Sequence, residues 1–102
     1  MRDYQYPLDL DWTTDEMVAV MGMWAVLEQA YEEGVAVASF MEAYKAFKKV
    51  VPSIGEERRL GREFEKLSGY SLYCGLQAAK AQGRGRFSLA DSKKMQKERK
   101  KK

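Results

Sequence analysis

The side chains that most often carry out catalysis are scarce in this chain. Its 102 residues include no histidine and a single cysteine, Cys74. An intramolecular disulfide, a His- or Cys-rich zinc site, a Cys-His dyad and a Ser-His-Asp triad are therefore all excluded. A reactive thiol needs a nearby base or a helix N-terminus to lower its pKa. With no histidine available, Cys74 reads as a structural residue. Carboxylates are plentiful, and Asp9, Asp11, Asp15 and Glu16 crowd the opening of the chain. Such oxygens can bind a divalent cation, but the spacing fits no calcium loop. Acids at the start of a helix also complement its dipole and its free amides. The sequence thus assigns no catalytic residue, metal or cofactor, and the expectation is a protein that is not an enzyme.

Groups suited to recognition are easier to find. Arg58, Arg59 and Arg62 span one helical turn and make a positive face. Such a face can meet phosphate or an acidic partner. It can equally be a solvated surface with local pairs, since Glu63 lies four residues after Arg59 and Glu65 three after Arg62. In Ser68-Gly69-Tyr70-Ser71, Tyr70 either faces a partner or packs inward at a helix-helix corner. The last ten residues hold Lys93, Lys94, Lys97, Arg99, Lys100, Lys101 and Lys102 against one acid, Glu98. That density of charge attracts polyanions through counterion release. No aromatic is interleaved to stack on bases, so weak, non-specific binding is the most it implies.

These groups must be positioned by helices. Thr13-Thr14-Asp15-Glu16 is a capping box, with Thr13 as N-cap and Glu16 three residues on. The helix it opens runs to about Glu33, with Met17, Val20, Met21, Trp24, Leu27 and Tyr31 on one face. Val18, Met23, Val26 and Ala30 widen that face, which marks this helix as central. If its neighbours are too short to cover it, an apolar strip is left for a partner or for a second copy. Gly34 is placed to close the helix in the left-handed conformation.

A second helix is expected over about Ala38 to Val50, burying Val37, Phe40, Met41, Tyr44, Phe47 and Val51 and turning Glu42, Lys45, Lys48 and Lys49 to solvent. Pro52 ends it. Ser53 and Glu56 form a second capping box for a third helix, to about Leu67, with Leu60, Phe64 and Leu67 inward. Ser71 caps a fourth, Leu72 to about Gln82, burying Tyr73, Leu76 and Ala79. No strand pattern of useful length is present. The expected architecture is all-α, a compact irregular array of four helices over residues 1–83. Residues 84–102 then form a basic linker, from which Phe87 and Leu89 can dock on the body as a short extended strip, and a basic flexible C-terminal tail.

Charge is distributed unevenly along the chain. Residues 1–44 carry one basic residue against nine acids (net −8), residues 45–92 ten against five (net +5) and residues 93–102 seven against one (net +6), for a total of +3. The uncharged, strongly apolar run Met17 to Leu27 has 11 residues, about half of what a membrane span needs. The acidic opening does not fit a secretory signal. A cytoplasmic protein that does not span a membrane is expected.

Three motifs in order, Tyr6-Pro7-Leu8-Asp9-Leu10-Asp11-Trp12, Phe47-Lys48-Lys49-Val50-Val51-Pro52-Ser53 and Glu63-Phe64-Glu65 with Ser68-Gly69-Tyr70-Ser71, resemble the YktA-like uncharacterised family of Gram-positive bacteria. The resemblance covers about Tyr4 to Lys80. It implies a small cytosolic domain of four irregularly arranged helices and assigns no activity. Gly55 and Gly61, inside the third helix, depart from what a helix favours. Two functional readings follow. The first is a non-catalytic module that binds a protein partner, or its own copy, through the first helix or the arginine face; monomer and homodimer both remain open. The alternative is a nucleic-acid or ribosome-associated protein acting through the tail and the arginines of helix three.

Overall fold

The computed structural model describes residues 5–89. In chain order the elements are α1 (Thr14–Glu32), β1 (Val35–Ala36), α2 (Val37–Val50), α3 (Ile54–Ser68), α4 (Leu72–Gln82) and β2 (Arg86–Phe87). The fold is all-α, as the sequence implies, with one addition. β1 and β2 pair antiparallel, Val35 opposite Phe87 and Ala36 opposite Arg86.

Local chemistry explains where each helix begins. At Thr13 both halves of the capping box form: its hydroxyl accepts from the Glu16 amide at 3.2 Å, and the Glu16 carboxylate accepts from the Thr13 amide at 2.9 Å. At Ser53 only half forms. The Ser53 hydroxyl accepts from the Glu56 amide, while the Glu56 carboxylate turns outward to Arg59. Ser71 caps α4 by accepting from the Cys74 amide. Helix α2 has no capping side chain, because Ala36 precedes it. Its first amide, on Val37, donates instead to the Gly85 carbonyl at 2.8 Å.

That bond makes the stretch after Gly83 part of the body. Beyond the β1–β2 ladder, the Leu89 amide donates to the Ala30 carbonyl, and Phe87 packs edge-on against Phe40 with ring centres 5.3 Å apart. Phe87 and Leu89 are both buried, which is the docked strip the sequence implies. Gly34 makes the close approach of β2 possible. It has φ +95°, and a β-carbon there would lie 3.2 Å from the Phe87 carbonyl. Residues 90–102, including all seven basic residues of the expected tail, lie outside the described residues.

The core gathers around Trp24. Its indole N–H donates to the Pro7 carbonyl, its ring stacks on Phe64 at 4.7 Å and meets Phe47 edge-on at 5.5 Å. One side chain thus joins the N-terminal segment, α1, α2 and α3. The buried side of α1 is Val20, Met23, Trp24, Leu27, Glu28, Ala30 and Tyr31. Glu28, the one buried charged residue among those described, accepts from the Tyr6 hydroxyl at 2.7 Å.

Several expected core positions face outward instead. Val18 is 59% exposed and Met21 40%, so α1 does keep an uncovered apolar strip. Leu67, one residue from the end of α3, is exposed as well. Tyr73 is 71% exposed, because α4 packs through Leu72, Gly75, Leu76 and Ala79, a face that leaves position 73 outside. At Gly75 the helix lies so close to its neighbours that a β-carbon would fall 2.6 Å from Leu27 Cδ1 and 3.2 Å from the Phe40 ring.

Candidate functional site

Helices α2, α3 and α4 leave between them a cleft of about 500 Å³. Tyr44, Lys48 and Pro52 supply the α2 side, Ile54, Glu57, Arg58, Gly61, Arg62 and Glu65 the α3 side, and Ser71, Leu72, Tyr73 and Leu76 the α4 side. Its volume is in the range of small-molecule and peptide pockets. Gly61 sits where α3 crosses α4, and a β-carbon there would lie 3.6 Å from Leu72 Cβ. That is an ordinary van der Waals distance, so nothing in the structure requires a glycine at Gly61 or at Gly55.

One wall is a closed polar network. Lys48 donates to Glu57 at 2.6 Å and to the Pro52 carbonyl at 3.2 Å, and the Tyr44 hydroxyl donates to the other Glu57 oxygen at 3.0 Å. Lys48, expected in solvent, is therefore half-buried and tied across the α2–α3 corner. Burial, with the hydrogen bond and the repulsion from Glu57, pushes the Tyr44 phenol up to about 12. At neutral pH it stays protonated and serves as a donor. Charge in this wall is cancelled internally.

The arginines divide. Arg59 turns away from the cleft and pairs with Glu56 at 2.6 Å and Glu63 at 2.9 Å, which raises its pKa further. Those two contacts are the local pairs that the sequence spacing allows. Arg58 and Arg62, one turn apart, line the cleft and form no ion pair among the described residues. The expected Arg62–Glu65 pair does not form, although Glu65 lines the same cleft. Arg58 and Arg62 against Glu65 leave a net charge of +1 beside an apolar surface of Ile54, Leu72, Tyr73 and Leu76.

The remaining candidates are not part of this cleft. Tyr70 stacks on Tyr31 with ring centres 4.5 Å apart and donates to Glu32 at 2.8 Å. It occupies the inward position at the α3–α4 corner. Tyr31 exchanges hydrogen bonds with the Ser71 backbone, and its burial raises its pKa. Cys74 is half-buried on α4, away from the cleft lining. Among the described residues no three His, Cys, Asp or Glu side chains converge to hold a metal ion. Asp9 accepts from the Asp11 amide and Glu16 caps α1. No helix among the described residues is long and apolar enough to cross a membrane. Lys93, Lys94, Lys97, Arg99, Lys100, Lys101 and Lys102 lie outside those residues.

Sequence reasoning finds Arg58 and Arg62 but misses the cleft and its Tyr44–Glu57–Lys48 wall. Tyr44 and Lys48 stand four residues apart on α2, the spacing that aligns two side chains on one face. Glu57 follows one turn beyond the Pro52 break. That combination is the available signal.

Comparison with known proteins identifies the family. The model of an uncharacterised protein family, UPF0223, matches residues 3–88. A UPF0223 protein of Enterococcus faecalis is 64% identical over 91 residues, covering 89% of this chain and 99% of its own. UPF0223 proteins of Streptococcus sanguinis and Streptococcus pneumoniae are 50% and 52% identical over 88 residues, 86% of this chain and 96% of theirs. The match follows the resemblance carried by the three sequence motifs and takes in every helix of the body. This chain belongs to the UPF0223 family.

Proposed function

We propose that the protein is a non-catalytic interaction module whose docking surface is the α2–α3–α4 cleft. Its partner is a short protein segment that carries carboxylates beside an apolar side chain. The observation that carries this reading is the pair Arg58 and Arg62, without counter-ions among the described residues, on the rim of a cleft otherwise lined by Ile54, Leu72, Tyr73 and Leu76. Arginine and tyrosine are the residues that dominate binding energy at protein interfaces. A guanidinium grips a carboxylate with two parallel hydrogen bonds. The wall opposite contributes shape without charge, because Lys48 and Glu57 neutralise each other.

The test is an NMR titration of the full chain with a synthetic peptide of alternating Asp and Leu. Amide shifts are expected at Arg58, Arg62 and Tyr73, and the double change Arg58→Glu and Arg62→Glu should weaken binding about tenfold or more, the loss of roughly one strong charge contact. Shifts spread elsewhere, or binding that survives the double change, refute the reading. A polyanion is the competitor. For an oligonucleotide, the slope of log K against log salt is about −0.7 per phosphate contact. Two contacts from Arg58 and Arg62 give a shallow slope, whereas engagement of the basic tail gives a steep one that truncation of residues 93–102 abolishes. The latter result, with no peptide binding, would replace the interaction module by the nucleic-acid reading.

A further inference from the structure

Between Tyr6 and Trp12 the chain ahead of α1 is held to the body except at one point. The Tyr6 hydroxyl donates to Glu28 and its ring meets Phe64 edge-on at 6.0 Å. Pro7 is buried and its carbonyl accepts from Trp24. Leu8 and Trp12 pack against the core. Between them the chain makes a tight turn, closed by the Trp12 amide donating to the Asp9 carbonyl at 3.1 Å and the Asp11 amide to the Asp9 carboxylate at 2.9 Å. At its tip Leu10 is 90% exposed, the most exposed large apolar side chain among the described residues. A leucine is thus presented to solvent on a pinned turn, with an acid on each side.

The α2–α3–α4 cleft presents the complementary arrangement: an apolar surface with two arginines on its rim. We infer that the cleft takes a second copy of this chain, with Leu10 of one copy entering beside Leu72, Tyr73 and Leu76 of the other and Asp9 and Asp11 meeting Arg58 and Arg62. This rests on the cleft being a docking surface and adds what fills it. Leu10 cannot fill the cleft of its own chain, since it stands in solvent. The charge asymmetry favours the same contact, residues 1–44 netting −8 and residues 45–92 netting +5. Because the turn is already held at Tyr6, Pro7 and Trp12, little chain entropy is lost on docking. The two surfaces differ, so the contact is heterologous: it either closes when two copies exchange turns or grows into an array. A contact of this size belongs to the weak, transient class.

Sedimentation of the full chain over a wide concentration series at low salt tests the inference. The mean mass is expected to rise above the 11.7 kDa of one chain. Leu10→Ser, Asp11→Arg and Arg58→Asp each alter exposed side chains and should each weaken association about tenfold. Combining Asp11→Arg with Arg58→Asp restores the opposite charges across the contact, and association should return. A chain that stays monomeric throughout overturns the inference. If the Asp-Leu peptide still binds that monomer, the docking surface stands and only its occupant is wrong; if the peptide also fails, both fall. Association that ignores all three substitutions, or that is lost on Met21→Lys alone, assigns self-contact to the α1 strip and overturns the inference as well.

Discussion

Gly22→Ala and Gly75→Ala make the same chemical change in the interior of a helix, and the structure gives them opposite signs. Alanine is favoured over glycine in a helix by about 1 kcal/mol, chiefly through backbone entropy. At Gly22 a new methyl meets nothing within 4 Å, so most of that gain should appear as stability. At Gly75 the methyl would lie 2.6 Å from Leu27 Cδ1 and 3.2 and 3.4 Å from two atoms of the Phe40 ring. Leu27 ends in a flexible group, but both residues have no exposed surface, so neither can swing into solvent. Overpacking of that kind costs about 1–3 kcal/mol and more than offsets the helix propensity. The expected outcome is a stabilisation of about 0.5–1 kcal/mol for Gly22→Ala and a destabilisation of about 1–2 kcal/mol for Gly75→Ala. For a domain of this size 1 kcal/mol moves Tm by about 4–8 °C, so the two variants should melt on opposite sides of the parent in a calorimetric scan. If Gly75→Ala melts as high as Gly22→Ala, α4 does not sit tightly on α1 and α2. The placement of Leu72, Tyr73 and Leu76 at the cleft would then be wrong too.

Glu57→Ala should destabilise by about 2 kcal/mol, since it strands the half-buried Lys48 ammonium and the Tyr44 hydroxyl; Glu57→Gln keeps an acceptor and should cost less, both read as urea midpoints. Phe87→Ala should cost about 3 kcal/mol and loosen α2 from its first turn, which amide hydrogen exchange at Val37 would report. In the folded chain Tyr44 titrates at about 12 against an ordinary 10, so its contribution is complete below pH 10 and disappears as pH rises through about 12. Tyr44→Phe should therefore flatten the alkaline loss of stability, leaving the share due to Tyr31, and remove a tyrosinate step near pH 12 from an ultraviolet titration.

Helix starts are legible wherever a side chain announces them, as at Thr13, Ser53 and Ser71. The β1–β2 ladder is not, because two residues per strand carry no period, and α2 lacks its own cap for the same reason: its partner is 48 positions later, Gly85 against Val37. Which side of a narrow helix is covered also escapes the sequence. Spacing alone places Tyr73 or Leu67 inward as readily as Leu72, and the crossing of α3 and α4 near Gly61 decides. The arginines show the same limit. One turn carries all three, yet Arg59 finds Glu56 and Glu63 while Arg58 and Arg62 are left at the cleft. The Tyr44–Glu57–Lys48 wall depends on the angle at Pro52, which no pairwise spacing encodes.

The Gly85 carbonyl that completes α2 has a consequence for biosynthesis. Synthesis runs from the N-terminus, so the ribosome delivers Gly85 and β2 after every helix they secure. A nascent chain that has reached only Gln82 owns four helical segments but has an open amide at Val37 and an uncovered Phe40. Such an intermediate is fastened late, by its last few described residues. A chaperone or protease that reads exposed aromatic surface would meet this protein in that interval rather than afterwards.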